Sequence, residues 1–415
     1  PLLDAARPAI LGALQQDWVG PLLVLTAQPE RAHFLQEQVS VWSTRAPSWY
    51  FPAPDALFYD RTPWDGETIH RRVSVLSALA SQDYARPPIL FTSVWALMTQ
   101  TIPPALLASA IRTIHVGQKI RLSDLAGSLV GSAYEPVPVV EEAGTFAQRG
   151  GILDVFPPNM DQPVRIEWFG DEIETLRRFD PLSQRSLEPQ DRITLYPASE
   201  ALAHYEPALQ YLEHLPAESD SPALARWQRD RERLPQNSYF RGAEFYLACL
   251  HPHPATLLDY LPPHLLLIVD DMAAVEDAAR NLEQQALDIR AELVESGQLT
   301  ADLPSAYLPW DELSRAIDSL PGIHLGQFSG GGRAEQKDDS RPAAGNAAPA
   351  ELTAAEEDPS FHVPLTYAGR IERLVEDTVR LRAEHQRVVI VSRQAQRLSN
   401  LFAEHGETVA PVEDI

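Results

Sequence analysis

Arg165, Glu167 and Phe169 sit two residues apart in the run Val164–Phe169, and Val164, Ile166 and Trp168 alternate with them. In an extended strand a period of two sends alternate side chains to opposite faces. One face is then wholly apolar and turns toward a core. The other sets an aromatic ring beside an Arg and a Glu. The chemistry this suits is recognition: aromatic and guanidinium side chains are enriched in protein interfaces and supply most of the binding energy there. A guanidinium offers a planar fork that matches a carboxylate on a partner, which a Lys ammonium does not copy. The same pattern also fits a second, smaller core behind the sheet, or rim packing beneath a neighbouring domain.

The elements that must position these side chains are short strands. Ile152–Phe156, Val164–Phe169 and Ile173–Phe179 are strand-like runs. Two Pro and an Asn separate the first pair, and Gly170-Asp171 is a turn pair suited to a tight hairpin. His115–Ile120 is expected as a short polar strand and Leu122–Gly131 as a small helix, so that 114–199 forms a compact α+β unit. The flanking sequence reads differently. Leu22–Thr26, Trp49–Phe51, Ile89–Thr92 and Leu265–Val269 are apolar runs of the kind found in buried parallel strands. Helical spacing over Pro29–Val41, Glu67–Leu79 and Ala274–Glu295 alternates with them, and Ser93 is placed to cap a helix from Val94. Strand–helix alternation predicts a parallel α/β sheet, begun in 1–113 and completed in 200–328, with the α+β unit inserted between. Ser329–Ser360 has almost no large apolar residue and reads as a flexible linker. Residues 361–415 start afresh with a helix over Arg370–Glu384, a strand over Val388–Ser392, a helix over Gln394–Glu404 and a further strand near Glu407–Val412. Those strands are too few for a whole sheet, which gives the expectation of a small α/β domain cut short.

Composition narrows the function. The chain has 415 residues, enough for two to four domains, and 44% are hydrophobic. The formal net charge of −24 argues against autonomous nucleic-acid binding, which needs clustered Lys and Arg against phosphate. A single cysteine, Cys249, excludes an internal disulfide framework and fits a reducing, cytoplasmic setting. No apolar run approaches the ~20 residues of a membrane span. Nothing near Pro1 reads as a signal peptide, and Pro1 itself points to a trimmed start.

The blocks RGGILDVFPP, RIEWFGDEIE and RRFDPLSQRS resemble the module shared by UvrB and the transcription-repair coupling factor (Mfd), which docks UvrA. FPAPDALFYDRTPWDGETIHRRVSVLSAL before them and LDYLPPHLLLIVDD after them resemble Mfd, and together the blocks span most of residues 20–328. The resemblance implies a degenerate RecA/helicase-like sheet split by the inserted UvrA-docking unit. It implies a docking surface centred on two Arg and a Phe, which fall on Arg149, Arg165 and Phe169. Arg165 and Phe169 are reached independently by the strand pattern; Arg149 sits before Gly150-Gly151, where pairing with Glu167 or Asp154 is an equally simple role. Asp154 and Glu167 are placed to orient the Arg side chains. In that family the whole protein displaces stalled RNA polymerase with an ATP- and Mg-dependent DNA translocase. Those modules lie outside this stretch, and the protein's own C-terminal domain masks the UvrA face. The resemblance therefore implies a recruitment module without a cofactor of its own, with RNA polymerase and DNA reached only through other modules.

The features that could carry other chemistry each lack a part. ATP would be gripped by G-x-x-x-x-G-K-[ST] after the first strand, where this chain has Ala27-Gln28-Pro29-Glu30. A UvrB-like working helicase is thus the rival reading, and a plain scaffold is another. Asp270-Asp271 ends a strand in the manner of an acidic Mg²⁺ support, but without the phosphate loop it reads as a relic. Cys249, His251 and His253 have the wrong spacing for a zinc pair. Phe58, Tyr59 and Trp64 could stack on bases, or fill the edge of the first domain. The segment around them is too short for the long aromatic hairpin with which UvrB probes DNA.

Overall fold

The structure is a computed structural model, and it describes residues 4–42, 47–82, 84–212, 222–251, 255–326, 371–385, 388, 390 and 395–411. Its strands are β1 (Leu22–Thr26), β2 (Ser48–Phe51), β3 (Ile89–Ser93), β4 (Arg112–His115), β5 (Glu135–Pro136), β6 (Thr145–Arg149), β7 (Ile152–Phe156), β8 (Val164–Phe169), β9 (Glu172–Phe179), β10 (Ser186–Pro189), β11 (Arg192–Leu195), β12 (Leu266–Val269) and β13 (Gly322–His324). The chain divides into two compact units, 1–327 and 328–415.

In the first unit, five strands form a parallel sheet in the order β13-β12-β1-β3-β2. The continuous apolar runs follow from burial on both faces. Leu22, Val24, Ile89, Phe91, Leu266 and Ile268 pack on one side with Leu11, Leu35 and Val39 of the helices Arg7–Asp17 and Pro29–Trp42. Leu23, Leu25, Leu90, Leu267 and Val269 pack on the other with Val73, Leu76, Val275 and Ala279. Ser93 caps its helix as the sequence predicts, accepting from the Ala96 amide, and Asp65 likewise accepts from the amide of Glu67. β13, an edge strand of three residues, has no signal in the sequence beyond one apolar side chain, Ile323.

Residues between β3 and β12 build the second sheet, ordered β10-β9-β8-β7-β6-β5, antiparallel except for the β5–β6 pair. β4 and β11 pair antiparallel, Arg112 opposite Leu195 and Ile114 opposite Ile193, and so close the two ends of this unit on each other. Its core joins Leu125 and Leu129 of the helix Leu122–Gly131 to Phe146, Leu153, Val155, Val164, Ile166, Ile173 and Leu176. The expected strand His115–Ile120 is replaced by β4 and a turn. Gly117 takes a φ of +81°, a left-handed conformation that suits glycine and breaks an extended run, while the Gly117 and Ile120 amides donate to the carbonyls of Ile173 and Asp171 at 2.8 Å.

A buried ion pair secures the chain where it returns from the second sheet to the larger core. Arg72, on the helix Gly66–Ser81, is 0% exposed and donates to both carboxylate oxygens of Glu200, at 2.5 and 3.2 Å. It also donates to the Pro52 carbonyl at 2.9 Å and lies 4.2 Å over the Phe51 ring. Glu200 lies five residues after β11 and also accepts from the Thr101 hydroxyl, so the chain returning from the second sheet is held to the larger core.

Gly242–Leu250 forms a 3-10 turn over Ala243–Tyr246 followed by a short helix over Leu247–Leu250. In the second unit the helices Ile371–Ala383 and Ala395–Glu404 occupy the predicted places. Glu407–Pro411 is not a strand. The expected linker Ser329–Ser360 and most of Val388–Ser392 lie outside the described residues. No described helix is long and apolar enough to cross a membrane.

Candidate protein-docking surface

The outward face of the second sheet is organised in cross-strand rows. Arg149, Ile152, Glu167 and Thr175 stand side by side on β6 to β9, and Ala147, Asp154, Arg165 and Arg177 form the next row. The β8–β9 hairpin turns at Gly170-Asp171, with Phe169 opposite Glu172 and Gly170 at a φ of +62°. A bulge at Glu167/Trp168 adds one residue on β9 and sharpens the local twist, as bulges do. Trp168 stays on the core side, its Nε1 donating to the Ile120 carbonyl at 2.9 Å. Phe169 is left beyond the end of the core and is 80% exposed.

The two readings of this face divide it between them. Away from the hairpin, Ala147 and Phe179 are buried with Val140, and Phe156 packs against them: a small second core on the outer side. At the hairpin end Phe169 is bare. Arg165 lies between the two regions. Its Nε and Nη2 donate to the Asp154 oxygens at 2.7 and 2.8 Å, and its guanidinium carbon lies 4.8 Å over the Phe179 ring. The hydrogen bonds to Asp154 hold Arg165 above the ordinary arginine pKa, against the opposing effect of burial. The fork expected to meet a partner's carboxylate is thus already engaged by Asp154, leaving Nη1, which reaches the Gln184 carbonyl at 3.5 Å.

Glu167 accepts from the Thr175 hydroxyl at 2.9 Å rather than from an arginine. Arg149 is exposed and donates to the Pro138 carbonyl, so neither Glu167 nor Asp154 takes it up. Arg149, Glu167 and Phe169 therefore share the hairpin end of one face, and Arg165 with Asp154 forms the row behind. Arg177, exposed and directly across from Arg165, is missing from the sequence reading; only the strand register brings it onto this face.

The other candidate residues serve the fold. Asp270 is 6% exposed and pairs with Arg7 and with Arg31, the latter at 2.9 Å. Asp271 accepts from the Ala274 amide and caps the helix Met272–Glu295. Both carboxylates are committed, so the pair does not fit a Mg²⁺ ion, which is usually held through carboxylates and waters in open octahedral geometry. Thr26 bonds the Gln28 carbonyl at 2.8 Å, and Ala27-Gln28 offers no glycine curl for a phosphate. Cys249 is buried, which pushes its thiol up to about 12, and His251 is drawn down to about 4, chiefly by burial; His253 lies outside the described residues. No three His, Cys, Asp or Glu side chains gather as a metal site among the described residues. Phe58 stacks on Tyr307 at 4.8 Å, the Tyr59 hydroxyl accepts from Arg290 at 2.9 Å, and Trp64 packs on the larger core, so all three are packing residues.

Comparison with known proteins names the unit that carries this face. Residues 113–200 match the UvrB interaction domain; the chain is thus a carrier of that domain, set between the two halves of a parallel sheet. Over the larger part of its length it is similar to transcription-repair-coupling factors. It is 26% identical to that of Bacillus subtilis (strain 168) over 318 residues, 74% of this chain and 27% of the relative. It is 37% identical to that of Myxococcus xanthus over 207 residues, 48% and 17% of the two chains. A UvrABC system protein B from Fervidobacterium nodosum is 28% identical over 307 residues, 68% and 45% of the two. The matched stretch spans about a quarter of the length of the coupling factor from Bacillus subtilis.

Proposed function

We propose that this chain is the UvrA-recruiting module of a transcription-repair coupling factor, and that it docks UvrA through the hairpin end of the outward sheet face. The observation that carries the reading is Phe169, a large aromatic side chain 80% exposed on a hydrogen-bonded hairpin inside the UvrB interaction domain. Phe169 is the apolar anchor, Arg149 supplies a charge at the rim, and Arg165 is held ready by Asp154 in the row behind; Glu167 orders the strand pair beside them. The parallel sheet is a degenerate RecA-like fold that does not hydrolyse nucleotide. ATP, Mg²⁺, RNA polymerase and DNA belong to modules of the whole protein beyond this chain, whose C-terminal domain competes with UvrA for the same face in the cytoplasm. Titrating UvrA against the chain tests the docking. Phe169→Ala is expected to weaken binding by about 2 kcal/mol, roughly thirtyfold, in the hot-spot range. Equal affinity for the parent and the variant overturns it.

A further inference from the structure

The turn that follows β9 carries a second bare apolar side chain, Leu182, 89% exposed. Exposure alone says little, since Val19 is 87% exposed on the chain leading into β1. What sets Leu182 apart is how its turn is built and where it lies. The Asp180 amide donates to the Arg185 carbonyl at 3.0 Å, and that of Gln184 to the Asp180 carbonyl at 2.8 Å. The Ser183 amide donates to the Asp180 carboxylate at 2.6 Å. Gln184 then clamps the turn onto the outward face: its Nε2 donates to the carbonyls of Val140 at 3.2 Å and Pro181 at 2.7 Å, and its own carbonyl accepts from Arg165. Leu182 is therefore held at the far end of the same face as Phe169, on a turn whose ordering entropy is already spent. Such preorganisation is what converts an exposed apolar side chain into an affinity anchor.

The spacing fits one interface. β9 runs from Glu172, opposite Phe169, to Phe179, next to the turn. At roughly 3.3 Å per residue the two anchors stand about 20 Å apart. A standard interface of ~800 Å² per partner spans about 30 Å and covers both. Between them lie Arg149, Arg165 and Arg177 against Asp154 and Glu167, an excess of positive charge on a chain whose net charge is −24. Arg165 and Arg177 face each other directly across a strand pair. Asp154 already neutralises Arg165, and Arg177, exposed beside that pair, is placed to meet an acidic group from outside.

We infer that Leu182 is a second docking anchor and that Arg177 reads an acidic group between the anchors. The docking partner's surface then carries two apolar sockets about 20 Å apart with carboxylates between them. This rests on the docking reading above. The test titrates purified UvrA against the parent chain, Phe169→Ala, Leu182→Asp and Arg177→Glu, with circular dichroism melts of each chain alone. Both new variants are expected to melt with the parent, since their side chains are exposed, and to bind at least tenfold more weakly. If Phe169→Ala binds weakly while Leu182→Asp keeps parental affinity, the docking site stands and the second anchor is overturned. If Leu182→Asp weakens binding but Arg177→Glu does not, the acidic group between the sockets is overturned. Unchanged binding by all three overturns the docking site and the anchors together. A lowered melting point for Leu182→Asp directs the titration to Leu182→Ala, for which a loss of less than twofold overturns the anchor.

Discussion

Arg165 and Asp154 meet as a two-pronged pair across β8 and β7, with both bonds under 2.9 Å and the guanidinium laid over Phe179. Asp154 is 4% exposed, so the pair is presented from below. A partner does not capture the arginine's fork; it meets a guanidinium whose position is already fixed. This relationship turns Arg165 from a flexible charge into part of a rigid face.

The first prediction follows from that rigidity. Arg165→Lys keeps the charge but loses the second bond to Asp154 and the stacking on Phe179. It is expected to weaken UvrA binding by about tenfold, ~1.4 kcal/mol, with a small change in stability. Asp154→Ala leaves the guanidinium without its buried partner and is expected to lower unfolding stability by about 3 kcal/mol. Isothermal titration and urea unfolding read the two effects separately. Parental affinity in the lysine variant would show that charge alone is recognised.

The second prediction concerns pH. Glu244 is 3% exposed; one oxygen accepts from the Ser199 and Tyr239 hydroxyls at 2.8 and 2.9 Å, and the other has no protein partner. Burial raises its pKa, and the nearby Glu200 adds to the effect. The folded chain therefore holds this proton at pH values where the unfolded chain, with an ordinary carboxyl near 4.3, has released it. Stability from this group falls as pH rises above about 4.3 toward the folded value. Glu244→Gln mimics the protonated acid, so it is expected to be more stable than the parent at pH 7–8 and equal to it near pH 4. Urea midpoints across that range decide it; a constant difference at all pH values contradicts the assignment.

How much of this was legible in the sequence depends on how local each signal is. β1 and β12 announce themselves because Leu22–Leu25 and Leu266–Val269 are apolar at every position, as strands covered on both faces require. The alternation around Arg165 fixed which side chains face outward, and the Gly170-Asp171 turn fixed where Phe169 ends up. β6 left little trace: Thr145–Arg149 mixes one aromatic with Ala, Gln and Arg, and becomes a strand through its pairing with β7. The outer core of Val140, Ala147 and Phe179 joins residues up to 39 positions apart, and nothing in a linear pattern brings them together. Arg72 and Glu200 are 128 residues apart and equally silent. The roles of Asp270 and Asp271 were visible only as a choice between a metal support and a strand end. The choice turned on Arg7 and Arg31, whose sequence neighbourhoods give no hint of them.

The third prediction uses that choice. At a working metal site an acidic side chain waits unpaired, and its neutralisation in the absence of metal relieves repulsion. Asp270 is in the opposite situation: it is the shared counter-ion of Arg7 and Arg31, and Arg7 is 4% exposed. Removing its charge leaves the buried Arg7 guanidinium only the exposed Asp4 carboxylate, 3.7 Å away, which costs about 3 kcal/mol. Asp270→Asn is therefore expected to destabilise the chain, and Mg-ATP at millimolar concentration is expected to leave the melting temperature of parent and variant unmoved, because a ligand stabilises only what it binds. The sign of the mutational effect is the sharper readout. A stabilised Asp270→Asn variant, or a melting temperature that climbs with Mg-ATP in the parent and not in the variant, would return the parallel sheet to the nucleotide-binding class.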